Sequence, residues 1–411
     1  MKKTLTAAVL AAMLAPSAAF AEGYGIIEHH AEGVAMGGAA MFIENDAGNM
    51  AYNPAGITLC EGKQIKISAT YIAPHGDYIC EKIMGGQETG HNRVHPAWAP
   101  GSYYVRKVDD KQWVGIGCFS RFGNMCEFER GTLPATNNLF AKMNGLSITP
   151  TYARKAGNKF YWALGADINY VGLTLEKDFT AAGNSVRTET KGETWALGWN
   201  MGLRYAATDK DEFGFAYRSR IKQNMSADTY SSMSSGGIDC WGEVMLPDSY
   251  HFGYSHRFDK KNRVELSAIR TNWSNFKDLT IHFAQPFLGK NDTTTYHNWK
   301  DTWRLAIGFE HHFSDKYTGM LGFAFDESGI PVYGGGFMVP IGTRKTYSVG
   351  VKYHDKRHTI ALTVGWQVEG DQNWIGQNAL SGYAGGTDGY KSARMVDSIA
   401  KIFSIGYTYH F

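Results

Sequence analysis

Near the end of the chain, apolar and polar positions alternate. Phe403, Ile405, Tyr407, Tyr409 and Phe411 share one parity, and Ile402, Ser404, Gly406, Thr408 and His410 share the other. Successive side chains of a β-strand point to opposite faces. One face is therefore apolar and aromatic, and the other mostly small or polar. The pattern recurs upstream. Trp195, Leu197, Trp199, Met201, Leu203 and Tyr205 oppose Thr194, Ala196, Gly198, Asn200, Gly202 and Arg204. Trp303 to Phe309 and Ile360 to Trp366 repeat it. Each segment is long enough to cross a bilayer when tilted, with lipid outside and a wet lumen inside.

Short charged turns punctuate these segments: KVDDKQ (107–112), KAGNK (155–159), ATDKDE (207–212), FDKKN (258–262), FSDKY (313–317) and HDKRH (354–358). Asp, Asn, Gly and Lys suit tight hairpins. Six such hairpins, one strand before them (about 62–73) and one after (about 400–411) predict fourteen strands, an even number as expected of a bacterial barrel. The remaining connections read as long loops: 74–96, 123–142, 178–191, 223–242, 284–298, 326–340 and 370–399. A soluble sandwich can alternate in the same way. The terminal Phe411 favours the membrane, because it resembles the C-terminal signature by which the barrel-assembly machinery recognises outer-membrane barrels.

Composition narrows the class. Lys2 and Lys3, the apolar run Leu5–Leu14 and the small-residue site Ala19–Ala21 read as a signal peptide over 1–21. The chain has 41 basic and 39 acidic residues, and loss of the two leading lysines makes it neutral. A nucleic-acid binder normally carries a basic excess. Aromatics at 14% and 48 glycines, with no long apolar run after the signal, fit a β-barrel. The cysteines Cys60, Cys80, Cys118, Cys126 and Cys240 show no metal spacing. Export permits a disulfide among Cys80, Cys126 and Cys240. The histidine pairs His29-His30 and His311-His312 read as interfacial or turn residues, and no metal or cofactor is expected.

Residues 22–61 precede the first strand and contain NDAGNMAYNPAGI, too broken for a helix and too turn-rich for a strand. Ile26, Ile27, Val34, Met36, Met41, Phe42 and Ile43 argue against a solvated tail. A fourteen-strand lumen has room for a plug. The chain thus divides into a signal peptide (1–21), a hatch (22–61) and a barrel (62–411).

EHHAEGVAMGGAAMFIENDAGNMAYNPAGIT resembles the N-terminal hatch of the FadL/TodX family, outer-membrane transporters of long-chain fatty acids and hydrophobic aromatics. Asn53-Pro54-Ala55 stands at that family's NPA motif. WVGIGCFSRFGNMCEF (113–128), LPDSYHFGYSHRF (246–258), NWSNFKDLTI (272–281), KDTWRLAIGFEHHFSDKY (300–317) and FDESGIPVYGGGFMVP (325–340) extend the resemblance along the mature chain. It implies an all-β barrel of fourteen antiparallel strands holding an internal hatch. It also implies passive uptake, with lateral release through a gap at a kink in the third strand. On this reading the partners are a long-chain fatty acid or other hydrophobic small molecule, outer-membrane lipid and lipopolysaccharide. The protein is taken as a monomer of the bacterial outer membrane.

The resemblance places the kink at Phe122, Gly123 and Asn124, where the residues alone would read as a strand turning into a loop. It assigns Tyr24 and Ile26 to the segment that reaches the ligand, and Asn53, Pro54 and Ala55 to a brace of the hatch. Parity turns Arg204, Arg218, Arg304, Arg344 and Lys352 toward the lumen, as clamps for a carboxylate or as lumen salt bridges. Lys177, near the loops, and Arg344 stand at family basic positions; Thr343 replaces the usual acid before Arg344. Two rivals predict other features. A general porin would have an open, charged constriction and no hatch. A lipid enzyme would need a nucleophile beside a base, and the chain has no GxSxG.

Overall fold

The alternating segments form the wall of a closed antiparallel barrel. The structure is a computed structural model describing residues 23–93, 95–181, 183–333, 335–375 and 390–411; the expected signal peptide lies outside them. Among the described residues the wall has fourteen strands. They are β1 (Lys63–Lys82), β2 (Ala97–Asp109), β3 (Gln112–Phe119 and Gly123–Glu127), β4 (Phe140–Ala156) and β5 (Phe160–Ala181). Next come β6 (Asn184–Ala206), β7 (Asp211–Arg218 and Ile221–Ser231), β8 (Ile238–Leu246 and Ser249–Arg257) and β9 (Asn262–Thr271 and Asp278–Phe287). The last are β10 (Lys290–Tyr296 and Thr302–His312), β11 (Tyr317–Asp326), β12 (Arg344–His354), β13 (His358–Glu369 and Gln372–Ile375) and β14 (Tyr390–His410). β1 pairs with both β2 and β14, which closes the sheet.

Side-chain parity sets which face meets lipid. Along the lower part of β14 exposed and buried residues alternate strictly, with Phe403, Ile405 and Tyr407 outward and Ser404 and Thr408 inward. On β6, Trp195, Leu197 and Trp199 point out, and Leu197 is 73% exposed. Such exposure would be a liability in water and is what a lipid-facing belt requires. Neighbouring strands stack aromatics at one level: Trp199 on Tyr217, then Tyr217 on Tyr250, each with centroids 5.0 Å apart.

All six charged segments are hairpin turns. The segments expected as long loops differ. β5 runs to Ala181 and β6 starts at Asn184, so much of 178–191 is ladder. β1 runs to Lys82 and pairs there with a short strand, Gln87–His91, and β14 begins at Tyr390. Beyond the bilayer both faces of a strand meet water. Thr188, Glu189, Thr190 and Lys191 keep their hydrogen bonds there but lose the apolar alternation that marks a strand in sequence. The disulfide allowed by export is absent: all five cysteines are free and buried.

Residues 23–62 lie inside the wall. A short helix, α1 (Ala31–Ala35), packs against β11–β14 and β1, and the 3-10 turns Ala47–Ala51 and Pro54–Leu59 pack against β1–β6. Gly322 leaves no Cβ where Gly37 and Met36 touch the wall. Polar groups of the segment bond inward-facing side chains around the ring. Thr363 Oγ1 donates to Ala31 O (2.8 Å), Arg218 Nη2 to Met50 O (2.8 Å), Arg304 Nη1 to Gly37 O (2.9 Å) and Trp113 Nε1 to Cys60 O (3.0 Å). Met41 N–H donates to Glu265 (2.5 Å).

The strongest tie is ionic. Lys66 of β1 reaches in to Glu32 (2.5 Å) and Asp46 (2.7 Å), with His30 at 3.3 Å from Glu32. His30, Glu32 and Asp46 converge closely enough to suggest a metal site, but the Lys66 ammonium already bonds both carboxylates there. Burial pushes the Glu32 carboxyl up, yet Lys66 and His30 outweigh it and hold the group below the ordinary carboxylate range. A carboxyl with a depressed folded pKa keeps its contribution above the unfolded value of about 4.3 and loses it as pH falls through the folded one. The tie therefore holds across neutral and mildly acid pH.

Lys66→Met strands two buried carboxylates, a defect that costs about 3–5 kcal/mol when one partner of a buried pair is lost. We expect the barrel to remain heat-modifiable on gels while alkylation of Cys60, followed by peptide mass spectrometry, speeds at least tenfold. An unchanged Cys60 rate would mean that Lys66 does not anchor the segment.

Candidate functional site

The third strand is interrupted. Phe119 of β3 opposes Ser147 of β4, and Gly123 opposes Asn144. Three residues, Ser120 to Phe122, thus face two, Gly145 and Leu146, which is the signature of a β-bulge. On the other side pairing with β2 ends at Gly101–Phe119, so Ala97–Pro100 have no partner from β3. Pro100 brings no N–H to this edge. Gly123 and Asn124 open the outer segment of β3, which pairs with β4 alone among the wall strands.

The inner segment bonds to the interruption from within. Ile26 N–H donates to Arg121 O and Gly123 N–H donates to Tyr24 O, both at 2.8 Å, and Gly25 bridges to Phe122. Tyr24 is buried among aromatics: Trp273 at 4.7 Å, Phe276 at 5.3 Å, Trp299 at 5.6 Å and Phe122 at 6.1 Å between centroids. Contacts of this kind contribute about 0.5–1.5 kcal/mol each beyond area burial. Ile26 packs with Val34, Ile72, Ala99 and Ile402.

Three cavities follow one another toward this point. The outermost is lined by Leu175, Lys177, Phe283, His297, Trp299 and Met338 among others. The second shares Leu175, Leu279, Met338 and Val339 with it and is bounded by Tyr24, Asn124, Met143 and Phe276. The third lies past Tyr24, between Gly25, Ile26, Phe122 and Trp273. Asn124 Nδ2 donates to Met338 O at 2.8 Å and ties the break in β3 to the outer segment that roofs the cavities.

Lys177 lines the outermost cavity and makes no ion pair among the described residues. His297 stacks on Phe276 at 4.5 Å. Burial, helped by the nearby Lys177 charge, lowers the His297 imidazole to about 4, so it is neutral at pH 7.

The structure brings together Tyr24, Ile26, Phe122, Gly123, Asn124 and, farther out, Lys177. Arg344 stands apart. It is buried at the start of β12, cross-strand from Asp326 and Glu369, and lines none of the three cavities. With Arg304 it offsets the burial that raises the Glu28 carboxyl. Its Nε and Nη1 have no hydrogen-bond partner. Arg204, Arg218, Arg304 and Lys352 bond wall carboxylates or the inner segment. Asn53 caps the turn Pro54–Leu59: its Oδ1 accepts from Ala55 N–H (3.0 Å) and its Nδ2 donates to Leu203 O (2.9 Å). Asn53, Pro54 and Ala55 line none of these three cavities.

Sequence reasoning missed Trp273, Trp299 and His297. The signal was the Asn-flanked tryptophans of NWSNF and HNW, which break strand parity. His29 and His30 are not interfacial but buried inside the barrel, where backbone and Lys66 contacts hold the segment.

A family model described as outer membrane protein transport protein (OMPP1/FadL/TodX) matches residues 10–411. The long-chain fatty acid transport protein of Escherichia coli K12 is 25% identical over 397 residues, covering 85% of this chain and 88% of that protein. Outer membrane protein P1 of Haemophilus influenzae is 25% identical over 395 residues, covering 84% and 85%. The crystal structure of a Pseudomonas aeruginosa FadL homologue aligns with a TM-score of 0.84 at 19% identity, covering 95% of this chain and all of that one. The Pseudomonas putida toluene transporter TodX aligns at 0.68 and 17%, covering 95% and 99%.

Lys177→Met removes a like charge beside His297 and should raise the imidazole pKa. Acid quenching of indole fluorescence is the readout, with His297→Ala as the control expected to abolish it. The midpoint, expected near 4 in the parent, should move upward in Lys177→Met; a midpoint that stays put would separate Lys177 from His297.

Proposed function

The chain belongs to the OMPP1/FadL/TodX outer membrane transport proteins, a family of transporters and not of enzymes, and on that premise we propose that it takes up long-chain fatty acids. The acid enters the outermost cavity with its carboxylate near Lys177. Its tail follows the apolar cavities to Tyr24 and leaves sideways where β2 loses its partner. The observation that carries this reading is the bulge at Ser120–Phe122, held by residues 24–26 at the end of the row of cavities.

Energetics favour a lateral exit over release into periplasmic water. Each CH₂ kept out of water is worth about 0.8 kcal/mol. A tail that passes from cavity to bilayer never forfeits that term, so no energy source is needed. Displacing Tyr24–Ile26 frees their two hydrogen bonds to β3, and occupancy of the aromatic cluster by ligand offsets the loss. The inner segment acts as a hatch, and Asn53-Pro54-Ala55 braces it against β6. A fatty acid is preferred to a neutral aromatic because Lys177 offers a cation with no ion-pair partner among the described residues.

Deleting Ser120 would bring Gly123 into step with Phe119 against β4 and remove the bulge. The expected outcome is a folded barrel whose oleate uptake, measured with radiolabelled ligand in cells, falls at least tenfold. Uptake equal to the parent would overturn lateral exit at β3. Mass spectrometry of co-purified ligand tests the cargo, and recovery of neutral aromatics alone would overturn the carboxylate assignment.

A further inference from the structure

The innermost cavity has a mixed lining. Ile26, Phe122, Ile269 and Trp273 are apolar; His29, Arg121, Arg218 and His251 bring polar nitrogens. The four nitrogen-bearing side chains are buried, at 5%, 6%, 3% and 4% exposure. The chamber sits directly behind the bulge in β3.

Its charge is unbalanced. Asp167 of β5 bonds Arg121 and lies 3.8 Å from Arg218 Nη1. Among the described residues no second carboxylate pairs with either guanidinium. Arg218 uses its Nη2 on Met50 O and Ala51 O. Three nitrogens remain buried without a hydrogen-bond partner: Arg218 Nη1, His29 Nδ1 and His251 Nδ1. Ser249 already bonds His251 Nε2 at 2.9 Å. Two fixed cations thus share one anion, with an unbonded guanidinium nitrogen and two imidazole nitrogens beside them. A buried excess charge is costly unless an anion joins it, and guanidinium groups are suited to carboxylates.

We propose that this chamber is a carboxylate subsite, which receives the head of an amphipathic monocarboxylate while its tail lies against Phe122, Ile26 and Trp273. The inference rests on the uptake of hydrophobic cargo argued above. It adds a second anionic stop, beyond Lys177 and behind the bulge in β3. The chamber favours acids over neutral lipids of equal length at the step before exit.

Arg121→Gln tests the idea, because it removes one cation and leaves Asp167 to Arg218. Oleate and oleyl alcohol are titrated into the purified full chain in detergent, with indole fluorescence and equilibrium dialysis as readouts and heat-modifiable migration as the check on folding. The parent is expected to bind oleate at least tenfold tighter than oleyl alcohol. Arg121→Gln should cut that ratio at least fivefold, and Arg121→Lys should restore much of it. His251→Gln, expected to lower the ratio about threefold, gives an independent reading if Arg121→Gln fails to fold. A ratio unchanged in both variants overturns the subsite, whatever the uptake results. Replacing gluconate by chloride separates the sources of the anion. Chloride that competes with oleate in the parent but not in Arg121→Gln supports the subsite; saturable chloride binding that leaves oleate unaffected overturns it. If the parent binds neither lipid, the uptake reading falls and the subsite with it.

Discussion

A backbone amide inside a bilayer finds no water to bond, so each must pair within the protein. That constraint organises the molecule. It forces the wall to close through β1 and β14, and it makes any interruption costly unless something else supplies the missing bonds. The bulge in β3 is such an interruption. The inner segment meets it with two hydrogen bonds from Tyr24 and Ile26. The two features go together: the backbone groups freed at the break are bonded by Tyr24 and Ile26 of the inner segment.

Electrostatics divide the lumen by task. Toward the short turns, charged side chains pair with one another: Lys66 of the wall holds Glu32 and Asp46 of the inner segment, and Arg263 and Lys352 join Glu310 across wall strands. These pairs are closed, with both signs present. Toward the long hairpins the cavities are largely apolar, and the cations there lack full partners. The contrast separates side chains that fix the fold from side chains left able to receive something. Parity alone could not make this distinction, because Arg204, Arg218, Arg304 and Arg344 all point inward.

Much of the barrel was legible because two strong signals coincide in it: strict alternation where one face meets lipid, and Asp/Lys-rich turns where strands reverse. Both fade past the bilayer edge. Thr188–Lys191 and much of Tyr390–Ile399 therefore read as loop although they are paired. At the site, Tyr24, Ile26, Phe122, Gly123 and Asn124 were reached through family resemblance and lie together. Arg344 was reached in the same way and lies elsewhere. His29, Arg121 and His251 come from the inner segment, β3 and β8, and no spacing in the chain foretells their meeting. Only the closed wall brings them to one chamber.

The five free thiols have a consequence for how the protein is made. An odd number cannot all pair, and each is shielded in the finished barrel. An exported chain crosses an oxidising compartment before its strands close. Exposure to miscoupling is thus confined to the interval of transit. Burial in the closed barrel keeps these sulfurs apart once it has formed.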